Sequence, residues 1–208
     1  MRKLTGMAAG VVTAVAMCSI ALAEGMVPLA QSIHWPGIET AWQYKTMYLT
    51  SAPNDEGFKH AKEQGVTTVI NLLTTSEDPS SFWPKDTSKK SWLMYALEYY
   101  FPQLKPWDEA QVVEDLGLRY ESVPIDVEQP DPAAVERFLS IVQQVHEKQV
   151  LIHCDAAGRA LAMWAIYLGT AGGLTPEQAL AQAEQAGLTN QDLKDFALQY
   201  LQKAQKVS

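Results

Sequence analysis

The chain is poor in cysteine, with only Cys18 and Cys154 among 208 residues, and its four histidines, at 34, 60, 146 and 153, show no metal-ligand spacing. Neither a disulfide framework nor a structural zinc site is expected. Basic excess is also missing: the formal net charge is −8, which argues against nucleic acid or an anionic membrane as the main partner. Internal repeats, heptad runs and low-complexity tracts are absent from the sequence. What is present is ordinary globular material, 47% hydrophobic and 19% charged, long enough for one α/β domain with a proper core.

Arg2 and Lys3 precede an uncharged, largely apolar run from Leu4 to Leu22, and Ala21-Leu22-Ala23 forms a small-x-small cleavage pattern before Glu24. Residues 1–23 therefore read as a secretory signal peptide, with an uncleaved anchor as the alternative. Removal takes Cys18 with it and moves the formal charge from −8 to −10. Residues 24–208 would then form a single domain with one thiol, Cys154, in a periplasmic or secreted setting where thiols oxidise. A lone cysteine there calls for a chemical explanation.

Along the chain, strand and helix patterns alternate. Met47 to Thr50 reads as a short strand, Asn54 or Asp55 caps a helix that stops at Gly65, and the β-branched run Val66 to Leu72 reads as a buried strand. A helix from Glu109 to Leu116, closed by Gly117, precedes a strand from Leu118 to Ile125. Asp131 caps a helix opening at Pro132, whose apolar face is Val135, Phe138, Leu139, Val142 and Val145. Val150 to Cys154 is the next strand, and helices follow at 158–169, from Thr175 to Ala186 and from about 190 to 203. This order predicts an α/β fold with a mainly parallel sheet flanked by helices, whose ligands bind beyond the carboxyl ends of the strands.

Cys154 stands at such an end, between the strand Val150-Leu151-Ile152-His153 and an apolar helix, with Arg159 five residues later. The first-turn N–H groups of a helix lack intrahelical partners and carry the positive end of its dipole, so they favour a thiolate and an oxyanion before them. Arg159 adds a charge that grips two oxygens at once. The alternative is a core cysteine ending a strand, with an arginine on the helix surface.

The segment Ile152-His153-Cys154 through Arg159 to Trp164-Ala165-Ile166 resembles the bacterial cysteine-dependent tyrosine and dual-specificity phosphatases, in the branch described as beta-lactamase-hydrolase-like, whose members carry His-Cys-x-Ser-Gly-x-Arg. The likeness runs from about Tyr48 to the C-terminus, through Gly65 to Leu72, Glu114 to Tyr120, and Thr175 to Leu180 with Ala186 to Thr189. It implies phosphomonoester hydrolysis through a cysteinyl-phosphate, with Cys154 attacking phosphorus and Arg159 holding the oxygens. By the same resemblance, Asp155, Ala156, Ala157 and Gly158 would form the loop that binds substrate by its N–H groups. His153, grouped with these substrate-binding residues, resembles the family histidine that keeps the thiolate poised, its alternative role being to close the strand by hydrogen bonding. Asp126 matches the position of the general acid, with Glu128 in reserve, while Asp131 is a helix cap. The resemblance implies no metal or organic cofactor. It implies a phosphorylated substrate, whether phosphotyrosine, lipid phosphate or small metabolite.

The sequence departs from that pattern in several places. Ala157 stands for glycine, Asp155 puts a carboxylate in the loop, Ala160 replaces a hydroxyl residue, and Leu73 replaces a frequent arginine. Four residues separate Cys154 from Arg159 where most tyrosine phosphatases have five, a spacing that the bacterial branch shares with rhodaneses. Two alternatives follow: a binding member of the fold without turnover, and a rhodanese-like sulfurtransferase. Outside the shared pattern lies an aromatic insertion at about 79–107, with Trp83, Trp92 and Trp107, which reads either as a packed extra helix or as a lid contacting a protein or ligand.

Overall fold

A computed structural model describes residues 28–77, 91–101, 107–129, 131–145 and 147–207. The expected signal peptide, Trp83 and much of the insertion, and His146 lie outside these residues. Six strands form one sheet in the order β1-β2-β3-β6-β4-β5, comprising β1 (Gln31–Ile33), β2 (Ala41–Tyr44), β3 (Met47–Thr50), β4 (Val66–Asn71), β5 (Arg119–Ser122) and β6 (Gln149–His153). From β3 to β5 every pairing is parallel; β1 and β2 add an antiparallel edge. Seven helices are described: α1 (Asp55–Glu63), α2 (Trp92–Tyr100), α3 (Glu109–Asp115), α4 (Pro132–Gln144), α5 (Gly158–Thr170), α6 (Pro176–Gln185) and α7 (Gln191–Val207).

Alternation along the strands divides the core. Leu49, Ile70, Val150 and Ile152 pack with α4, α5, α6 and α7 on one face, whereas Tyr48, Val69 and Leu151 pack with Phe58 and Ala61 of α1 and Val113 of α3 on the other. The apolar helix α5 is buried from Ala160 to Ile166 between the sheet and the α6–α7 pair, so it sits rigidly beneath the loop that precedes it. Its Trp164 is fully buried against Tyr44.

Three expectations need correction. The strand expected from Leu118 to Ile125 ends at Ser122; Pro124 has no N–H to continue the ladder, although Val123 and Ile125 still donate to the carbonyls of Asn71 and Leu72. On α4, Ile141 is buried in place of the expected Leu139, which is half-buried. The edge strands β1 and β2 were not expected, being short and partly polar, so that pairing rather than periodicity defines them.

Candidate active site

Because side chains alternate along β6, Ile152 and Cys154 face the α5 side while His153 faces α1 and α3. The loop after the strand is pinned along residues 50–52: Cys154 N–H donates to the Thr50 carbonyl at 3.4 Å, and Ala52 N–H donates to the Asp155 carbonyl at 3.0 Å. Cys154 is buried and lines a cavity of about 530 Å³, together with Arg159, Asp126, Glu128 and Glu77. Asp155 and Ala156 are exposed at its rim, and Gly158 also lines it. A Cβ at Gly158 would stand 2.9 Å from Leu193 Cδ1, so a larger residue at the helix start would have to displace the end of that side chain of α7.

The start of α5 differs from those of its neighbours. Asn54, Ser91, Asp108, Asp131, Thr175 and Asn190 each accept a first-turn N–H of the helix that follows them. Ala157 supplies no such acceptor, which leaves the first-turn donors of α5 available to an anion at the cavity. Ala157 also adopts φ 65°, the left-handed conformation that a glycine takes without strain, and it is fully buried outside the cavity lining. Relief of that strain, roughly 1–2 kcal/mol, is offset by the extra chain entropy of glycine, about 0.5–1 kcal/mol, and by loss of the buried methyl, about 0.8 kcal/mol. Ala157→Gly is therefore expected to leave Tm within about 2 °C of the parent in thermal denaturation, where a fall of about 4 °C or more would contradict the strained backbone.

Arg159 is held from the side by a residue that the sequence reading passed over. Its Nη1 and Nη2 donate to Glu77 Oε2 and Oε1, both at 2.6 Å, and Nη1 lies 3.4 Å from the carbonyls of Leu72 and Ile125. Glu77 is fixed in turn by the N–H and hydroxyl of Thr74, at 2.8 and 2.7 Å. The hydrogen bonds from Arg159, with those from Thr74, pull the Glu77 carboxyl from its usual 4.5 down to about 2. Burial opposes the charge of Arg159, yet the bond to Glu77 and the charges of Cys154 and Glu77 outweigh it, so the guanidinium holds its proton more firmly than usual. Glu77 takes the edge formed by the two terminal nitrogens; the fork has a second edge, Nε with Nη2, suited to an oxyanion.

Asp126 lines the cavity, with Oδ1 accepting the N–H groups of Glu128 and Gln129 at 2.9 and 3.2 Å. His153 does not. It was placed among the substrate-binding residues, but it is fully buried on the opposite face of the sheet, bonded to Glu109 at 2.9 Å. Glu77 and Glu109 were missed because they lie 82 and 44 residues from their partners and carried no spacing signal. In the described part of the insertion, α2 leaves Trp92, Tyr99 and Tyr100 well exposed, and none of its residues lines the Cys154 cavity. Trp107 instead stacks on Phe58 and donates to Asp55.

Solved structures share this arrangement of strands and helices. TpbA of P. aeruginosa matches with a TM-score of 0.58 at 20% identity, over 84% of this chain and 89% of that one; Tk-PTP in its active form matches with a TM-score of 0.58 at 16% identity, over 82% and 99%. The fold is that of the cysteine-dependent phosphatases. Another protein of this phosphatase-like fold, a DUF442 protein from Shewanella putrefaciens, matches with a TM-score of 0.57 at 24% identity, over 80% of this chain and 92% of that one. TpbA has also been solved in complex with phosphotyrosine, and that form matches at 19% identity with a TM-score of 0.58, over 86% and 97%. No protein-family model matches the chain, and no curated protein matches it significantly.

Proposed function

We propose that the protein hydrolyses phosphomonoesters of the tyrosine or dual-specificity type. The observation that carries this reading is the meeting of Cys154, the uncapped start of α5 and the Glu77-braced Arg159 in one cavity. The Cys154 thiolate attacks phosphorus, forming an S–P bond as the ester P–O bond breaks, while the first-turn N–H groups and Arg159 bear the charge on the non-bridging oxygens. Asp126 gives its proton to the leaving oxygen. Water then attacks the cysteinyl-phosphate, loses a proton to Asp126 and releases inorganic phosphate with the thiolate restored. The bound phosphotyrosine of TpbA supports a phosphorylated substrate for this cavity. The leader pattern at 1–23 supports a periplasmic or secreted location.

Binding without turnover is the second reading, favoured by the four carboxylates of Glu77, Asp126, Glu128 and Asp155 around one arginine. A dianion meets repulsion there. Incubation with a generic aryl phosphate, followed by acid quenching and mass analysis of the Cys154 peptide, separates the readings. A trapped phosphate supports hydrolysis; no adduct and no phosphate release supports binding alone; sulfur transfer from thiosulfate to cyanide instead identifies a sulfurtransferase.

The acid has its own test. Asp126→Asn keeps an oxygen for the Glu128 and Gln129 N–H groups but has no proton of comparable acidity to give. Turnover of an alkyl phosphate is expected to fall by about 10²-fold, and of an activated aryl phosphate far less, since a good leaving group needs little protonation. If Glu128→Gln alone gives this pattern, the role belongs to Glu128.

A further inference from the structure

Behind the nucleophile, on the face of the sheet away from the cavity, lies a buried polar cluster that the mechanism does not use. Glu109, the first residue of α3, is 5% exposed, Asn71 at the end of β4 is 2% exposed, and His153 is fully buried. One carboxylate oxygen, Glu109 Oε1, receives two donors: His153 Nε2 at 2.9 Å and Asn71 Nδ2 at 2.8 Å. Asn71 Nδ2 also reaches Tyr120 Oη at 2.9 Å, and its Oδ1 accepts the Leu73 N–H at 2.7 Å. The other ring nitrogen of His153, Nδ1, has no partner among the described residues. The orientation of this imidazole therefore rests on one hydrogen bond and on edge contact with Phe58.

We propose that Glu109 is a positioning residue for the Cys154 site. Through His153 it anchors the end of β6 from which Cys154 projects. Through Asn71 it anchors Leu73, where the chain enters the Thr74–Glu77 turn that braces Arg159. The two arms of the anion clamp, nucleophile and guanidinium, come from segments far apart in sequence, and Glu109 Oε1 is the point at which both are tied. A carboxylate or carboxamide oxygen carries two lone pairs and can hold both donors; a shorter or apolar side chain cannot. Supports of this kind keep reacting groups within the few tenths of an ångström that chemistry requires. Glu109 acts only through these neighbours, since it does not line the cavity.

The inference rests on the reading of Cys154 as an activated nucleophile, and its test does not require turnover. In the full chain, alkylation of Cys154 by iodoacetamide is followed on its own peptide by mass spectrometry at pH 6 and pH 9, at temperatures where circular dichroism shows each variant folded. Loosening the clamp removes donors from the thiolate, so in Glu109→Ala the ratio of the rate at pH 6 to that at pH 9 is expected to fall by about ten-fold or more. Glu109→Gln, whose amide oxygen accepts both bonds, is expected to stay within about three-fold of the parent ratio. A folded Glu109→Ala variant with the parental ratio, or a Glu109→Gln variant that falls as far as Ala, overturns the proposal. Should the parent release no phosphate from any ester, the hydrolytic reading fails while the alkylation ratios still decide the role of Glu109.

Discussion

Cys154→Ser is expected to abolish phosphate release and cysteinyl-phosphate trapping while the protein stays folded. Serine is nearly the same size, so the packing at the end of β6 survives, but its hydroxyl is a far weaker nucleophile at neutral pH than a thiolate. The side chain is 2% exposed and lies among apolar neighbours, so a small loss of stability, about 1–2 kcal/mol, follows from burying the hydroxyl. Thermal denaturation beside the activity assay separates that loss from the loss of chemistry. Phosphate release equal to that of the parent would remove Cys154 from the mechanism.

Arg159→Lys is expected to lower kcat/KM by about 10²-fold or more, although the charge is kept. The guanidinium braces itself on Glu77 with one edge and can offer the second to the phosphate; an ammonium is a single point that cannot do both. The same change reads out in the Glu77 titration. In the parent, the carboxyl is held down at about 2 rather than 4.5, so the pair contributes stability that is present above about pH 4.5 and is lost as the pH falls through about 2. Glu77 is 40% exposed, and solvent screening keeps that contribution small. In Arg159→Lys the Glu77 carboxyl signal, followed by NMR across pH 1.5–6, is expected to titrate closer to 4.5. An unchanged titration, with activity near that of the parent, would show that the fork is not what holds the anion.

Much of the fold was legible in the sequence because its signals are local. The β-branched run that forms β4, the Thr175 cap of α6 with Gln178 and the glycines closing α1 and α3 each act within a few residues. The short β1 and β2 were not legible, since a three- or four-residue strand with polar members is defined by its partner. In the candidate site, Cys154 and Arg159 were legible together because one turn of chain joins them across a strand end and a helix start. The direction of His153 was implicit in the alternation of β6, which sets it opposite Cys154; reading it as a substrate contact set that period aside.

The sequence by itself set Cys154 at a strand end and a cation five residues beyond it, because covalent proximity needs no distant partner; the left-handed backbone at Ala157, which local sterics oppose for alanine, is imposed by the fold. Only the tertiary structure decided what braces the cysteine and the cation. The sheet order inserts β6 between β3 and β4. That order brings Glu77 from beyond β4 onto Arg159, and Glu109 from α3 onto His153 and Asn71. Each carboxylate is anchored by hydrogen bonds from groups that are neighbours in space through strand pairing and helix packing, and no periodicity or spacing in the chain encodes those pairings.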